Sequence, residues 1–389
     1  MDDNLRDGDP SVRSLTLANL SDLTNDLVHV LPLLSIAFQD EDTQRRKLAE
    51  SSCRRLSRGL SETQAAWLEE QVSSTDQGLA ARLVLLRKYF LSRAKQTRQR
   101  RAEHIYWIIE HQPACHTAGT PDAFLLSRDE PSLYGRAKEL WLQKCTGDNQ
   151  NAAIVGNAAR FFTLNDPELS KKLFLEAQTL APEEPEWHEL LAHLHSLTSI
   201  HAFPLAASES ARQALVELEM ADQLRSTHAG VPTDEESKIT ILLTRLHSLP
   251  SRAKAALAAG EIAHAKSCAQ ELLRIAASEQ LDEFFRNDGD AIHQGHLVLG
   301  RVAMLEGDLE KAKYHLLESG KSNGSPVLGS FGPNMSLAKE LLEHEERDVV
   351  LEYIELCRKF WTGHGGQLDE WQKAVREGQV PSFGANLVY

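Results

Sequence analysis

The stretch NAAIVGNAARFFTLNDPELSKKLFLEAQTLAP, Asn151–Pro182, decides the architecture. Apolar and small residues recur in it at intervals of three and four. Ile154, Ala158 and Phe161 fall on one segment, and Ser170, Phe174 and Ala177 on the next. That spacing puts each set on one face of a helix. Between them Asp166-Pro167 marks a helix start. An Asp side chain satisfies free amide groups there, and Pro fits the first turn. Pro182 ends the second helix. The stretch therefore reads as two amphipathic helices joined by a short turn, and each must bury its apolar stripe against a neighbour.

The same register returns further along. Within His296–Ser319, Leu299-Gly300 precede the turn Gly307-Asp308, and Ala312, Leu316 and Ser319 follow it. Leu337-Ala338, Leu341, Val350, Ile354 and Cys357 repeat that spacing. Ala253, Gly260, Ala265, Ala269 and Leu272 give another pair, and His188, Leu191, Ala192, Ala211, Leu215 and Leu218 a longer, degenerate one. No stretch shows the alternation of a half-buried strand. Together these five units, between about residues 131 and 360, resemble the tetratricopeptide repeat (TPR), in which small residues let paired helices approach and aromatics fill the gap to the next pair. The resemblance implies an all-α, right-handed α-solenoid of stacked antiparallel helix pairs. Two features depart from the pattern. Pro250 sits inside the first helix of the third unit, and Ser226–Glu236 is an insert. In that insert Thr233-Asp234-Glu235-Glu236 reads as a capping box opening an extra helix.

Upstream, Asp9-Pro10-Ser11-Val12-Arg13 opens a helix through Leu20, and Asp42-Thr43-Gln44-Arg45 one through Leu56. Asp76, with Arg82 in the comparable place, opens a third. Second helices lie between them, over 26–38 and 61–72. This order over roughly residues 8–112 resembles HEAT repeats; a plain helical bundle is the alternative. Pro113, Gly119, Pro121 and Pro131 place a linker over 113–130. The expected organisation is a HEAT-like region 1–112, the linker 113–130, a TPR-like solenoid 131–360, and a C-terminal cap and tail 361–389. The tail, with a short helix over Leu368–Glu377 and an extended end, is similar to C-terminal ends of bacterial TPR-like proteins. It reads as a cap over the last apolar face, with a docking peptide as the alternative.

Composition narrows the function. In 389 residues, 42% hydrophobic and 25% charged side chains are globular values, which excludes wholesale disorder. The net charge is −14, and residues 1–112 contribute none of it, with 16 basic and 16 acidic side chains. So acidic a total argues against non-specific nucleic-acid or membrane-surface binding by the whole molecule. No apolar run reaches the roughly 18–20 residues a membrane span needs, and Met1–Pro10 is polar and acidic, unlike a signal peptide. Cys53, Cys115, Cys145, Cys268 and Cys357 are widely spaced and odd in number, which points to free, mostly buried thiols in a reducing cytoplasm.

Metal-ligating and catalytic patterns are weak. In Trp187-His188-Glu189-Leu190-Leu191-Ala192-His193 the second His is five residues after the first. Two helical ligands need a spacing of about four to share one face, so His188 reads as packing. His111, Cys115 and His116 have no evident fourth ligand. Gly329-Ser330-Phe331-Gly332-Pro333 has no strand before it and no Lys after it, and reads as a shaped turn. No enzyme activity, cofactor or metal is expected.

Binding signals are sharper. In the register of the resemblance one groove-facing position is Lys254, Arg301 and Lys339 in the last three units and His193 in the second. Gln294, Met304 and Met335 take neighbouring groove-facing positions. This row favours an acidic or carboxylate-bearing peptide or protein through charge-assisted hydrogen bonds, with Met supplying adaptable surface; the plainer reading is that long side chains merely solvate the groove. The carboxylate clamp of chaperone-binding TPRs is absent, since Val155 and Ala159 stand at its first-unit positions. The chain therefore reads as a non-enzymatic interaction scaffold or adaptor. The alternative is a nucleic-acid-associated or transcription-linked regulator using Arg87, Lys88, Arg93, Lys95, Arg98, Arg100 and Arg101, seven cations within fifteen residues interleaved with Tyr89 and Phe90.

Overall fold

The computed structural model describes residues 26–72, 78–92, 94–146, 151–199, 209–229, 234–278 and 288–387. Among them the chain forms eighteen α-helices and no strand, and neighbouring helices pack consecutively. They fall into two compact units that divide between Pro182 and Glu183. Among the described residues no helix is long and apolar enough to cross a membrane.

The first unit holds α1 (Leu27–Ala37), α2 (Thr43–Leu56), α3 (Glu62–Gln71), α4 (Gly78–Leu91), α5 (Lys95–His111), α6 (Pro131–Cys145), α7 (Ala152–Phe162) and α8 (Pro167–Leu180). Local capping explains several starts. Asp42 accepts from the Gln44 amide, Ser61 and Gln64 form a capping box, Asn151 accepts from Ile154, and Asp166 caps α8 with Pro167 behind it. The expected helix at Asp9–Leu20 lies outside the described residues, as does Asp76. Phe161 centres the packing of α6 and α7: its ring stacks on Tyr134 at 5.4 Å and meets Phe162 edge-on at 5.3 Å.

The Pro- and Gly-containing segment 113–130 is no free linker. Buried Glu50 accepts from the His116 and Thr117 amides and from the Thr117 hydroxyl. Asn157 donates to the Pro113 and Cys115 carbonyls, both at 2.9 Å. Arg101 donates to the carbonyls of Pro121, Asp122 and Phe124. An irregular segment inside a compact unit needs such partners because its backbone groups have no helical ones. The compact division falls after α8 instead, so α7 and α8 belong with the first unit.

The second unit holds α9 (Pro185–Ser199), α10 (Glu209–Ala229), α11 (Glu235–Ala259), α12 (Ile262–Ala276), α13 (Asp288–Glu306), α14 (Leu309–Gly320), α15 (Pro326–Phe331), α16 (Ser336–Glu343), α17 (Arg347–Cys357) and α18 (Gln367–Arg376). Ala253, Ala265, Ala269 and Leu272 are fully buried where α11 meets α12. Gly300 lies so close to Leu337 that a Cβ there would overlap its side chain. Among the described residues the extra helix expected after the insert and the first helix of the third unit are one helix. Asp234 caps α11, accepting from the Ser237 amide at 2.7 Å, and α11 then runs on through Pro250. Thr233 lies outside the described residues. The C-terminal segment closes a second cluster: Leu368, Trp371, Val375 and Phe383 pack with Leu341, Tyr353 and Ile354. Asn386 donates to the Phe331 and Pro333 carbonyls at 2.9 Å and accepts from the Met335 amide at 2.7 Å.

All five cysteines are free thiols, four buried and Cys115 partly so. Burial pushes the Cys53, Cys115 and Cys357 thiols up, and the Cys145 thiol up to about 12.

Candidate functional site

A cavity of about 1030 Å³ lies within the second unit. Three helices line it with one stripe each. Glu189, Ala192, His193 and Ser196 come from α9; His247, Ser251, Lys254 and Ala258 from α11; Asp290, Gln294, Leu297 and Arg301 from α13. Steps of three and four put each set on one helical face. Ala211, Leu218 and Arg225 of α10 fill one side, and Val327, Asn334, Ser336 and Leu387 another.

The expected site residues separate into two groups. Lys254, Gln294, Arg301 and His193 meet in this cavity. Met335, Met304 and Lys339 do not line it. Met335 is fully buried in the cluster under the C-terminal segment, because its backbone is tied to Asn386. Met304 packs partly buried against that same cluster. Lys339 lies 3.7 Å from Glu343, one turn further along α16.

Charge in the cavity wall is largely compensated. Arg301 pairs with Glu340 at 2.8 Å, and Arg225 donates to Glu189. Lys254 differs: it makes no hydrogen bond or ion pair with any described residue. Burial pulls its ammonium pKa down, and the charge of Asp290 opposes that. Burial pushes the Asp290 carboxyl up, while Lys254 and His247 pull it down. His193 is held low first by burial and then by Lys254. The basic row is thus one uncommitted cation with a carboxylate facing it, flanked by neutralised pairs.

Asp290, His247, the Glu189–Arg225 pair and Asn334 escaped the sequence reading. One signal was present: Asp290 stands four residues before Gln294, on the face already singled out. Asn334 carried no such signal, since a loop residue joins a cavity only through tertiary packing.

The basic segment of the first unit is mostly committed internally. Arg87 and Arg54 reach Asp122, which is 1% exposed, at 2.7 and 3.0 Å. Lys88 donates to the Leu60 carbonyl and lies 3.1 Å from Glu62. Arg101 holds the 121–124 turn, and Arg87 and Arg101 both approach the Phe90 ring. Lys95, Arg98 and Arg100 are exposed, Arg98 lies 3.8 Å from Glu130, and Arg93 lies outside the described residues. The cations therefore form no single free surface, because a helix spreads consecutive side chains around its axis.

Of the metal-like patterns, His188 bonds Glu217 at 2.6 Å, away from His193. His111 bonds the Trp107 carbonyl at 2.9 Å and stacks on that ring. The Cys115 carbonyl and the His116 amide serve the anchored 113–130 segment. Gly332 follows α15 in a positive-φ turn, but Gly329, Ser330 and Phe331 of the turn expected there are instead the last residues of α15. Comparison of the chain with protein-family models, characterised proteins and solved structures gives no match.

Proposed function

We propose that the chain is a non-enzymatic scaffold or adaptor of the cytoplasm whose second unit binds a segment of a peptide or protein partner. The observation that carries this reading is the convergence of His193 from α9, Lys254 from α11, and Gln294 and Arg301 from α13 on one cavity. In this reading the consecutive pairs are TPR-like, follow a HEAT-like start and continue as a right-handed α-solenoid, so the cavity belongs to an extended concave surface. The Ala, Leu and Val side chains of the cavity wall suit a bound side chain, and a few polar groups orient it. Lys254 would meet an acidic group of the partner. Free, buried thiols support a reducing compartment. The nucleic-acid reading loses ground because Arg87, Lys88 and Arg101 are committed within the first unit.

Selection from a random peptide library tests the proposal. Enriched peptides should bind wild type and lose at least about tenfold in affinity with Lys254→Glu or Arg301→Gln. Lys339→Glu, outside the cavity, should leave affinity unchanged. Equal binding by all four proteins, with the helical circular-dichroism signal intact, removes the cavity from the binding surface.

A further inference from the structure

The cavity contains one pair of opposite charges that the fold leaves unsatisfied. Arg301 and Arg225 have carboxylate partners. Lys254 bonds no described residue, and the buried Oδ1 of Asp290 has no hydrogen-bond partner among them. The two side chains lie close enough for each to influence the other's charge, yet no ion-pair contact joins them. A buried polar atom left without a partner costs stability, so native proteins keep few of them, and those kept invite a functional account.

The position of Asp290 is also built. It sits in the first turn of α13, where the Ser322 hydroxyl donates to the Gly289 carbonyl at 2.6 Å. A Cβ at Gly289 would run into the Gly324 carbonyl oxygen, so only glycine allows this close approach. The backbone beside Asp290 is thereby anchored at the helix start, while Asp290 and Lys254 of α11 line the same cavity.

The chemistry of an occupant follows from the pair. A ligand group that is only anionic meets Lys254 and is repelled by Asp290. One that is only cationic meets the reverse. A group presenting an acceptor and a donor side by side satisfies both, with its carboxylate or carbonyl oxygen accepting from Lys254 Nζ and its ammonium or N–H donating to Asp290 Oδ1. We propose that the Lys254–Asp290 pair recognises such an amino-acid-like group. Gln294, one turn beyond Asp290 and buried, offers its amide beside the group, and Leu297 and Val298 offer apolar wall for its side chain. This rests on the adaptor reading and narrows it: the bound segment offers a chain end at this point. A free amino acid carries the same chemistry.

The full chain would be titrated with four equimolar mixtures: the common free L-amino acids; peptides X-Ala-Ala-amide with a free amino terminus; peptides N-acetyl-Ala-Ala-X with a free carboxyl terminus; and the doubly blocked N-acetyl-Ala-Ala-X-amide. Saturation-transfer NMR and the unfolding temperature are the readouts. One of the first three mixtures should bind and raise the unfolding temperature, and which one does so separates a small-molecule ligand from either chain end. Lys254→Met and Asp290→Asn should each weaken that binding by at least about tenfold. The double variant Lys254→Met/Asp290→Leu should abolish binding while unfolding, without ligand, no lower than wild type, which a pair serving structure would not do. Equal binding of the doubly blocked mixture overturns the inference. So does binding that Lys254→Met destroys and Asp290→Asn spares, which describes a plain anion site. Failure of all four mixtures also overturns it, yet leaves the library selection free to succeed on internal acidic segments.

Discussion

His293 on α13 shows how one side chain ties local chemistry to stability. Its Nδ1 faces the Ser319 carbonyl at 3.1 Å, and its Nε2 accepts from the Asn334 amide at 3.1 Å. The ring is therefore neutral with the proton on Nδ1, and a second proton would point at the Asn334 N–H. Burial, with Lys254 and His296 adding to it, pushes the pKa down to about 4. Between that value and the ordinary 6.5 the unfolded chain binds the proton and the folded chain does not. Stability from this group is complete above the upper value and falls as pH drops toward the lower one, by roughly 3 kcal/mol in all. Urea unfolding at pH 7.5 and pH 5 should show the loss, and His293→Gln should reduce the difference without removing it, because burial also pushes the His315 pKa down to about 4. Asp122 makes a second case. It is buried between Arg54 and Arg87, so Asp122→Ala strands two guanidinium groups and should cost about 3 kcal/mol in denaturant unfolding.

At the scale of elements, the contact between α13 and α16 depends on a missing side chain. Gly300→Val drives new atoms into Leu337 and toward His315, and should destabilise the second unit by about 2 kcal/mol through overpacking. Gly300→Ala should do the same to a smaller degree in the same denaturant titration. Helix starts at Asp42, Ser61 and Asp166 were legible in the sequence because a cap is a local hydrogen bond between residues two or three apart. The stripes bearing Lys254, Gln294 and Arg301 were legible because helical period assigns a face. That Pro250 lies inside a helix was legible, but that the helix capped at Asp234 runs on through it as one element was not, since a proline's lost hydrogen bond is tolerated or not according to what packs around it. Nor was the burial of Met335, which depends on Asn386 more than fifty residues away. The partner of Arg301 lies on another helix, so the sequence showed a positive row where the folded unit has mostly compensated pairs.

At the scale of the whole molecule, charge follows the structural division more closely than it follows the Pro-rich segment. Residues 1–182 hold 23 basic and 24 acidic side chains, so thirteen of the fourteen net negative charges lie in 183–389. Self-repulsion should weaken the second unit at low ionic strength, and salt should screen it. Hydrogen exchange read by mass spectrometry is expected to slow in the second unit as sodium chloride rises, with the first unit little changed. The buried thiols give each unit a clock of its own. Alkylation needs a thiolate in contact with the reagent, and burial holds Cys53 and Cys145 in one unit and Cys357 in the other as inaccessible thiols. Iodoacetamide added to the native chain will thus mark these positions only as fast as their surroundings open. The order in which they are labelled gives the order in which the two halves come apart.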